Sequence, residues 1–310
     1  MGLLQNGQWV DQWYDTQSSQ GKFVRQDSQF RNWVRMDGTT PFIPEKNRYH
    51  LYVSLACPWA HRTIIFRKLK KLEDMISLSI VDPIMLNNGW EFSDSQGCVP
   101  DFLYNKNYLY ELYLLADPGY EGRVTVPVLW DKKTQAIVNN ESSDIIRMFN
   151  SEFNFLTGNK DDYYPRPLRQ KIDEMNDFIY PRVNNGVYRC GFATKQKAYE
   201  EAFLELFEAL DHIEKILSAS SCLVGDTLTE ADWRLFTTLI RFDPVYVGHF
   251  KCNKKRVADY PHLSGYVRRL FHHPGVKETV HFNHIKRHYY ESHTTINPTG
   301  IVPLGPEENF

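Results

Sequence analysis

Between Tyr49 and Leu72 the hydrophobic period of the chain changes once, and the change falls at a cysteine. Before it, Leu51, Val53 and Leu55 alternate with His50, Tyr52 and Ser54, the twofold period of a strand with one buried face. After it, Ile64, Ile65, Leu69 and Leu72 recur at helical spacing, with Arg62, Arg67, Lys68, Lys70 and Lys71 largely on the other side. Pro58 suits the first turn of that helix, where a missing N–H costs nothing. Ile76 to Val81 alternates again and predicts a second strand. Asp82 to Asn107 reads as a long loop carrying Asn88-Gly89-Trp90 and Cys98; loops of that length in a compact domain are usually functional or disordered. Tyr108 to Asp117 predicts a helix, Val124 to Trp130 a strand, Asp131 to Thr134 a polar turn and Gln135 to Val138 a further strand. Asn140-Glu141-Ser142-Ser143 opens a helix that runs to about Asn150.

The resulting order, β-α-β-α-β-β-α with a cysteine after the first strand, is the layout of a thioredoxin-like domain. Ser151 to Pro167 is polar and proline-bearing and reads as a linker. From Leu168 the periodicity is helical, and Lys195 to Ser218 places Phe203, Leu206, Phe207, Leu210, Ile213 and Leu217 on one stripe. Thr229 with Asp232 forms a capping-box-like start for an apolar helix over Ala231 to Arg241. Met1 to Lys46 carries Trp9, Trp13, Trp33, Tyr14, Phe23 and Phe30, too much aromatic surface to stay exposed. That segment is expected to wrap the body without much regular structure. The expected division is an N-terminal extension (1–46), a thioredoxin-like domain (47–150), a linker (151–167), an α-helical domain (168–280) and a C-terminal extension (281–310).

Charge and composition narrow the partners. With 310 residues and 42% apolar content the chain can bury ample core. A net charge of −2 gives no general attraction to nucleic acid or to an anionic membrane. The one dense basic run, Lys251 to Arg256, is short and reads as a solvated loop. No apolar run approaches a membrane span, and the opening residues are too polar for a secretory signal. Five widely spaced cysteines make neither a disulfide framework nor a zinc spacing, so the expected compartment is the reducing cytoplasm.

The chemistry centres on Cys57. At a strand-to-helix turn, the unpaired N–H groups and the helix dipole favour an anion and hence a thiolate. Ala60 stands where a Cys-x-x-Cys motif would place its second cysteine. A lone thiolate can form a mixed disulfide that an external thiol must resolve; the competing reading is a buried, inert cysteine. Pro127 interrupts an otherwise good strand, as an edge residue or as part of a cis bond. A cis Val126-Pro127 bond would leave the Val126 backbone open to an extended peptide. Glu141-Ser142 at a helix start is either an ordinary cap or an anchor for a ligand bearing both carboxylate and ammonium. His281, His284 and His288, at i, i+3 and i+7, could align as metal ligands, but neither carboxylate nor cysteine completes the set. No metal is expected there.

Taken together, the chain resembles the glutathione transferases, and in detail their Xi class, the glutathionyl-hydroquinone reductases. The resemblance is carried by YHLYVSLACPWAHR (Tyr49 to Arg62), NGW (Asn88 to Trp90), GRVTVPVLWD (Gly122 to Asp131) and NES (Asn140 to Ser142). NNGVYRCGFA (Asn184 to Ala193), RFDPVYV (Arg241 to Val247), HYY (His288 to Tyr290) and INPTGIVP (Ile296 to Pro303) extend it over nearly the whole chain. It implies an α/β thioredoxin-like N-terminal domain followed by an all-α C-terminal domain, with extensions at both ends, and a homodimer. Cys57 would be the nucleophile and glutathione the co-substrate, with no metal or nucleotide. Glutathione would set its cysteine backbone on Val126, beside Pro127. Its γ-glutamyl end would lie at Glu141 and Ser142, and its glycyl end near Trp90, Arg123 and Val124. Tyr188, Tyr246 and Tyr289 match the family's tyrosines, whose phenols can hydrogen-bond the thiolate or substrate oxygens and hand on a proton.

The implied activity is removal of glutathione from a glutathionyl-hydroquinone through a Cys57 mixed disulfide. An Omega-like thioltransferase or dehydroascorbate reductase would share the Cys57 chemistry but leave the tyrosine set and the tail unexplained. A non-catalytic binding module on the same fold would have no need of a thiol at the helix start.

Overall fold

The structure, a computed structural model, describes residues 2–307. The chain clusters into two compact units. The first takes the chain up to Trp13, Gln26–Asp161 and Glu278–Ser292; the second takes Tyr14–Arg25, Asp162–Lys277 and the chain from His293 on.

In the first unit, β1 (Leu3–Gln5) and β2 (Gln8–Val10) form a hairpin. Asn6 and Gly7 turn it with φ of 50° and 70°, the two positive angles that an Asn-Gly hairpin turn supplies cheaply. Among the described residues, the rest of the segment up to Lys46 carries no further helix or strand, as expected of a chain without much regular structure; the hairpin is the exception, and Asn-Gly between two short apolar runs is its local signal. The body follows as β3 (Tyr49–Val53), α1 (Pro58–Leu69), β4 (Ser77–Ile80), α2 (Leu109–Ala116), β5 (Gly122–Arg123), β6 (Val128–Asp131), β7 (Ala136–Asn139), α3 (Ser142–Ser151) and the single turn α4 (Asn154–Thr157). A four-stranded sheet runs in the order β4-β3-β6-β7, and β2-β1-β5 make a second sheet. β3 pairs parallel to β4 (Val53 with Ile80) and antiparallel to β6 (Tyr52 with Val128). This is the thioredoxin-like arrangement that the periodicity predicts.

Three details differ from the sequence reading. β3 is buried on both faces rather than one. The loop 82–107 covers its polar-looking side: the Tyr52 hydroxyl donates to Asp101 Oδ1 at 3.0 Å, and Phe102 sets its edge against His50 with ring centroids 5.2 Å apart. The strand predicted from Val124 begins at Val128, so Pro127 stands just before it and no ladder bond is lost. On α1, Arg62 and Lys70 are buried instead of facing water. Each long side chain reaches an oxygen, Arg62 at Ser142 Oγ (3.3 Å) and Lys70 at the Asp161 carbonyl. The last helix of this unit, α10 (Phe282–Ser292), follows the second unit in sequence.

The second unit is helical: α5 (Arg169–Ile179), α6 (Gly186–Gly191), α7 (Gln196–Ala219), α8 (Glu230–Leu239) and α9 (Pro261–Phe271). π-helical turns over Tyr180–Asn184 and Phe242–Tyr246 precede α6 and follow α8. On α7, Leu206, Phe207, Leu210, Ile213 and Leu217 are buried, as the stripe predicts, and Phe203 is half-buried. The Thr229–Asp232 capping box forms: Asp232 Oδ2 accepts from Thr229 N at 2.8 Å. Asp232 Oδ1 goes further than a cap, accepting from Leu223 N (3.0 Å) and from the Tyr266 hydroxyl (2.9 Å).

Candidate active site

Cys57 caps α1. Its backbone is extended (φ −74°, ψ 123°), its carbonyl accepts from His61 N at 2.9 Å, and Pro58 takes the first helical position. The sulfur therefore sits at a helix N-terminus, where the dipole favours negative charge. It is half-buried and makes a long S–H···O approach to the Val126 carbonyl, 3.8 Å. The Val126–Pro127 bond is cis. The thiol and the backbone expected to hold a peptide are thus adjacent, although 69 residues separate them in sequence.

At the start of α3, Glu141 is the N-cap and Oε1 accepts from Ser143 N at 3.0 Å. Its other oxygen accepts from Ser28 Oγ at 3.2 Å. Ser142 is buried, and its hydroxyl accepts from Arg62 Nη1. Arg62, on α1, lies one turn beyond Cys57 and ties the thiol's helix to the serine. Helical period alone would put that arginine at the surface, so the sequence reading missed it. Trp90 is buried and stacks on His288, with ring centroids 5.0 Å apart and planes at 19°. Val124 is buried; the Arg123 guanidinium donates to the Trp13 carbonyl at 3.0 Å and to the Gln12 carbonyl.

The three tyrosines separate. Tyr289 lies on α10, buried in the first unit with Cys57. Tyr188 and Tyr246 belong to the second unit, where their rings meet at 6.1 Å and 58°. Phe250 packs on both, edge-on to Tyr188 at 5.3 Å and stacked on Tyr246 at 5.4 Å.

The remaining titratable groups read as framework. Burial pushes the Cys98, Cys222 and Cys252 thiols up, which disfavours their thiolates. The tail histidines hold backbone: His284 Nε2 meets Gln96 O at 2.8 Å, and His288 Nδ1 meets Pro83 O at 2.7 Å. Among the described residues no group of three or more His, Cys, Asp or Glu could hold a metal ion. A cleft of about 480 Å³ beside the Trp90 turn is lined by Asp82, Asn88, Gly89, Glu91 and Ser93 among others. Burial alone would raise the Asp82 carboxyl, but hydrogen bonds from Ser93 and Ile84 N hold it below the usual carboxylate range. Cys57 does not line this cleft, so the thiol chemistry is not assigned to it.

Two family models match: "Glutathione S-transferase, N-terminal domain" over residues 56–152 and "Glutathione S-transferase, C-terminal domain" over 196–269. Glutathionyl-hydroquinone reductase YqjG of Escherichia coli K12 is 59% identical, over 100% of this chain and 97% of its own. The glutathione-bound structure of that relative superposes with a TM-score of 0.88, covering 90% of this chain and 92% of its own at 59% identity. A Xi-class glutathione transferase from Natrialba magadii reaches a TM-score of 0.95 at 48% identity, covering 99% of this chain and 94% of its own.

Proposed function

We propose a function from one premise: the chain belongs to the Xi class of the glutathione transferase family. It is a glutathionyl-hydroquinone reductase, an oxidoreductase that uses glutathione to remove glutathione from glutathionyl-hydroquinones. The observation that carries the reading is the lone half-buried thiol of Cys57 at the N-terminus of α1, beside the Val126 carbonyl, with Ala60 in place of a resolving cysteine.

In this reading Val126 and Pro127 hold the cysteinyl part of glutathione, and Glu141 and Ser142 its γ-glutamyl end. Trp90, Arg123 and Val124 take its glycyl end. The Cys57 thiolate attacks the glutathione sulfur of the conjugate. The sulfur–carbon bond breaks, the ring carbon takes the electron pair and a proton, and hydroquinone leaves. A second glutathione thiolate attacks the Cys57–glutathione disulfide, releasing glutathione disulfide and restoring the thiolate. The aromatic carbon is reduced by two electrons while the conjugate's thioether sulfur and one glutathione thiol sulfur are oxidised to the disulfide, so neither a metal nor a nucleotide is needed for balance. The proton is assigned to a tyrosine, Tyr188 first, with Tyr246 and Tyr289 as the other candidates. We place the enzyme in the cytoplasm as a homodimer, with small molecules rather than nucleic acid or membrane as partners. Among the described residues no helix is long and apolar enough to cross a membrane.

Steady-state turnover of a glutathionyl-hydroquinone against dehydroascorbate tests the assignment. The conjugate should be turned over far faster, and Cys57→Ser should abolish that turnover. Near-normal rates in Cys57→Ser would remove the nucleophile, and a preference for dehydroascorbate would move the chain to the Omega-like thioltransferase reading.

A further inference from the structure

The proposed glycyl-end residues are supported from both ends of the chain. The turn Asn87–Trp90 is held from the N-terminal hairpin by Trp9, whose Nε1 donates to the Asn87 carbonyl at 2.7 Å. The Trp9 ring lies directly on Gly89, which has φ +71°; a Cβ there would come within 2.6 Å of the ring, so only glycine allows the approach. Trp9 is in turn stacked on Tyr110 at 5.1 Å. From the other end, α10 brings His288 under the Trp90 ring and anchors it by the Nδ1 bond to Pro83 O. Ser292 Oγ accepts from Met85 N at 2.9 Å, and His284 bonds Gln96 O, so α10 grips the same loop at three points. Arg123 is fixed likewise: β5 pairs with β1 at Leu3, and its guanidinium donates to the carbonyls of Gln12 and Trp13.

We propose that the two extensions build the glycyl subsite, with Trp9 and His288 as positioning residues that set Trp90 and Arg123 for the glycyl carboxylate of glutathione. The inference rests on the glutathione site assigned above. Its physical basis is that a charge-assisted bond to a carboxylate needs a donor held in one geometry. The cysteinyl and γ-glutamyl parts depend instead on Val126 and on the start of α3, so the extensions should affect one end of the peptide and leave the other alone.

Calorimetric titration of the reduced full chain with glutathione and with γ-glutamylcysteine, which lacks the glycine, separates the two ends. The unsubstituted protein should prefer glutathione by about tenfold or more, the worth of a hydrogen bond to a charged group. Trp9→Ala and His288→Gln should each weaken glutathione by about that factor and leave γ-glutamylcysteine unchanged. Trp9→Phe, which keeps an aromatic ring on Tyr110 but lacks the Nε1 donor and the outer indole ring that meets Gly89, should recover only part of the preference. Equal weakening of both thiols, or unchanged binding of both, would overturn the proposal. Absence of any preference in the unsubstituted protein would instead overturn the placement of the glycyl end itself. The two substitutions lie in different segments, so loss of folding in His288→Gln leaves Trp9→Ala to decide.

Discussion

At the scale of single residues, the proton donor separates the two enzyme readings. Breaking a carbon–sulfur bond to an aromatic ring requires the departing carbon to gain a proton, whereas a disulfide releases a thiolate that needs none. If Tyr188 supplies that proton, Tyr188→Phe should slow hydroquinone release by about a hundredfold, a usual yield for general acid catalysis. Reduction of a small glutathione mixed disulfide should be nearly unaffected in the same variant. Equal losses in the two assays would leave Tyr188 a pocket-shaping role and move the donor to Tyr246, Tyr289 or water. A second residue sets acid sensitivity. His50 is buried beneath the loop 82–107, and burial, with smaller contributions from Lys132 and Arg67, lowers its pKa to about 3. Unfolded, it would titrate near 6.5, so below that value the unfolded chain binds a proton that the folded one refuses. Stability should fall as pH drops from 6.5 towards 3, by up to about 1.4 kcal/mol per unit. His50→Gln should flatten that slope in urea titrations between pH 6 and 4; an unchanged slope would exonerate the histidine. His50 also shows where single residues were illegible. It occupies a polar slot of the strand period, and nothing local announces that a loop more than thirty positions on will cover it. Cys57, Pro58 and Pro127 were legible because thiol and imino ring carry their constraint in the residue itself.

At the scale of elements, periodicity and caps were read well wherever one neighbour suffices. The α7 stripe, the strand-to-helix turn at Cys57 and the capping box at Thr229 all depend on residues within one or two turns. What was not legible depends on distant partners: the second buried face of β3, the burial of Arg62 and Lys70 on α1, and the return of α10 to the first unit, on which the sequence offered no expectation. The N-terminal hairpin was a different miss, because its Asn-Gly signal is local. Among the local elements, the Asp232 cap carries the most weight. Burial pushes its carboxyl upward in pKa against four hydrogen bonds that favour the charge, from Leu223 N, Thr229 N, Tyr266 and the Thr229 hydroxyl. Asp232→Ala would strand those donors in the interior, so we expect a loss of about 3 kcal/mol or more in unfolding free energy. Thr229→Ala, which removes only the cap hydroxyl, should cost about 1 kcal/mol. Comparable urea midpoints for the two variants would mean that Asp232 acts as a cap and nothing more.

At the scale of the molecule, a dimer is expected from the resemblance and from the aromatic surface of the helical domain and the two extensions, and for the N-terminal extension the second reason does not hold. The aromatic surplus of the N-terminal segment is taken up within the chain: Phe23 is buried, and Trp9, Trp13, Tyr14, Phe30 and Trp33 are all half-buried. Tyr14 and Phe23 meet edge-on at 4.7 Å in the second unit, while Phe30 stacks on Tyr120 at 5.2 Å in the first. These rings therefore do not call for a partner. The proposal of a homodimer rests on the resemblance, with some exposed apolar side chains, Phe155 (57%) in the first unit and Leu204 (61%) in the second, left for an interface to cover. Sedimentation at micromolar concentration should give twice the 36.5 kDa chain mass. If Leu204 lies in the interface, Leu204→Lys should shift the boundary towards the monomer by placing an uncompensated charge there, and glutathione binding at Cys57 should survive the change. A monomer in the unsubstituted protein would refute the dimer outright; an unshifted dimer in Leu204→Lys would place the interface elsewhere on the surface.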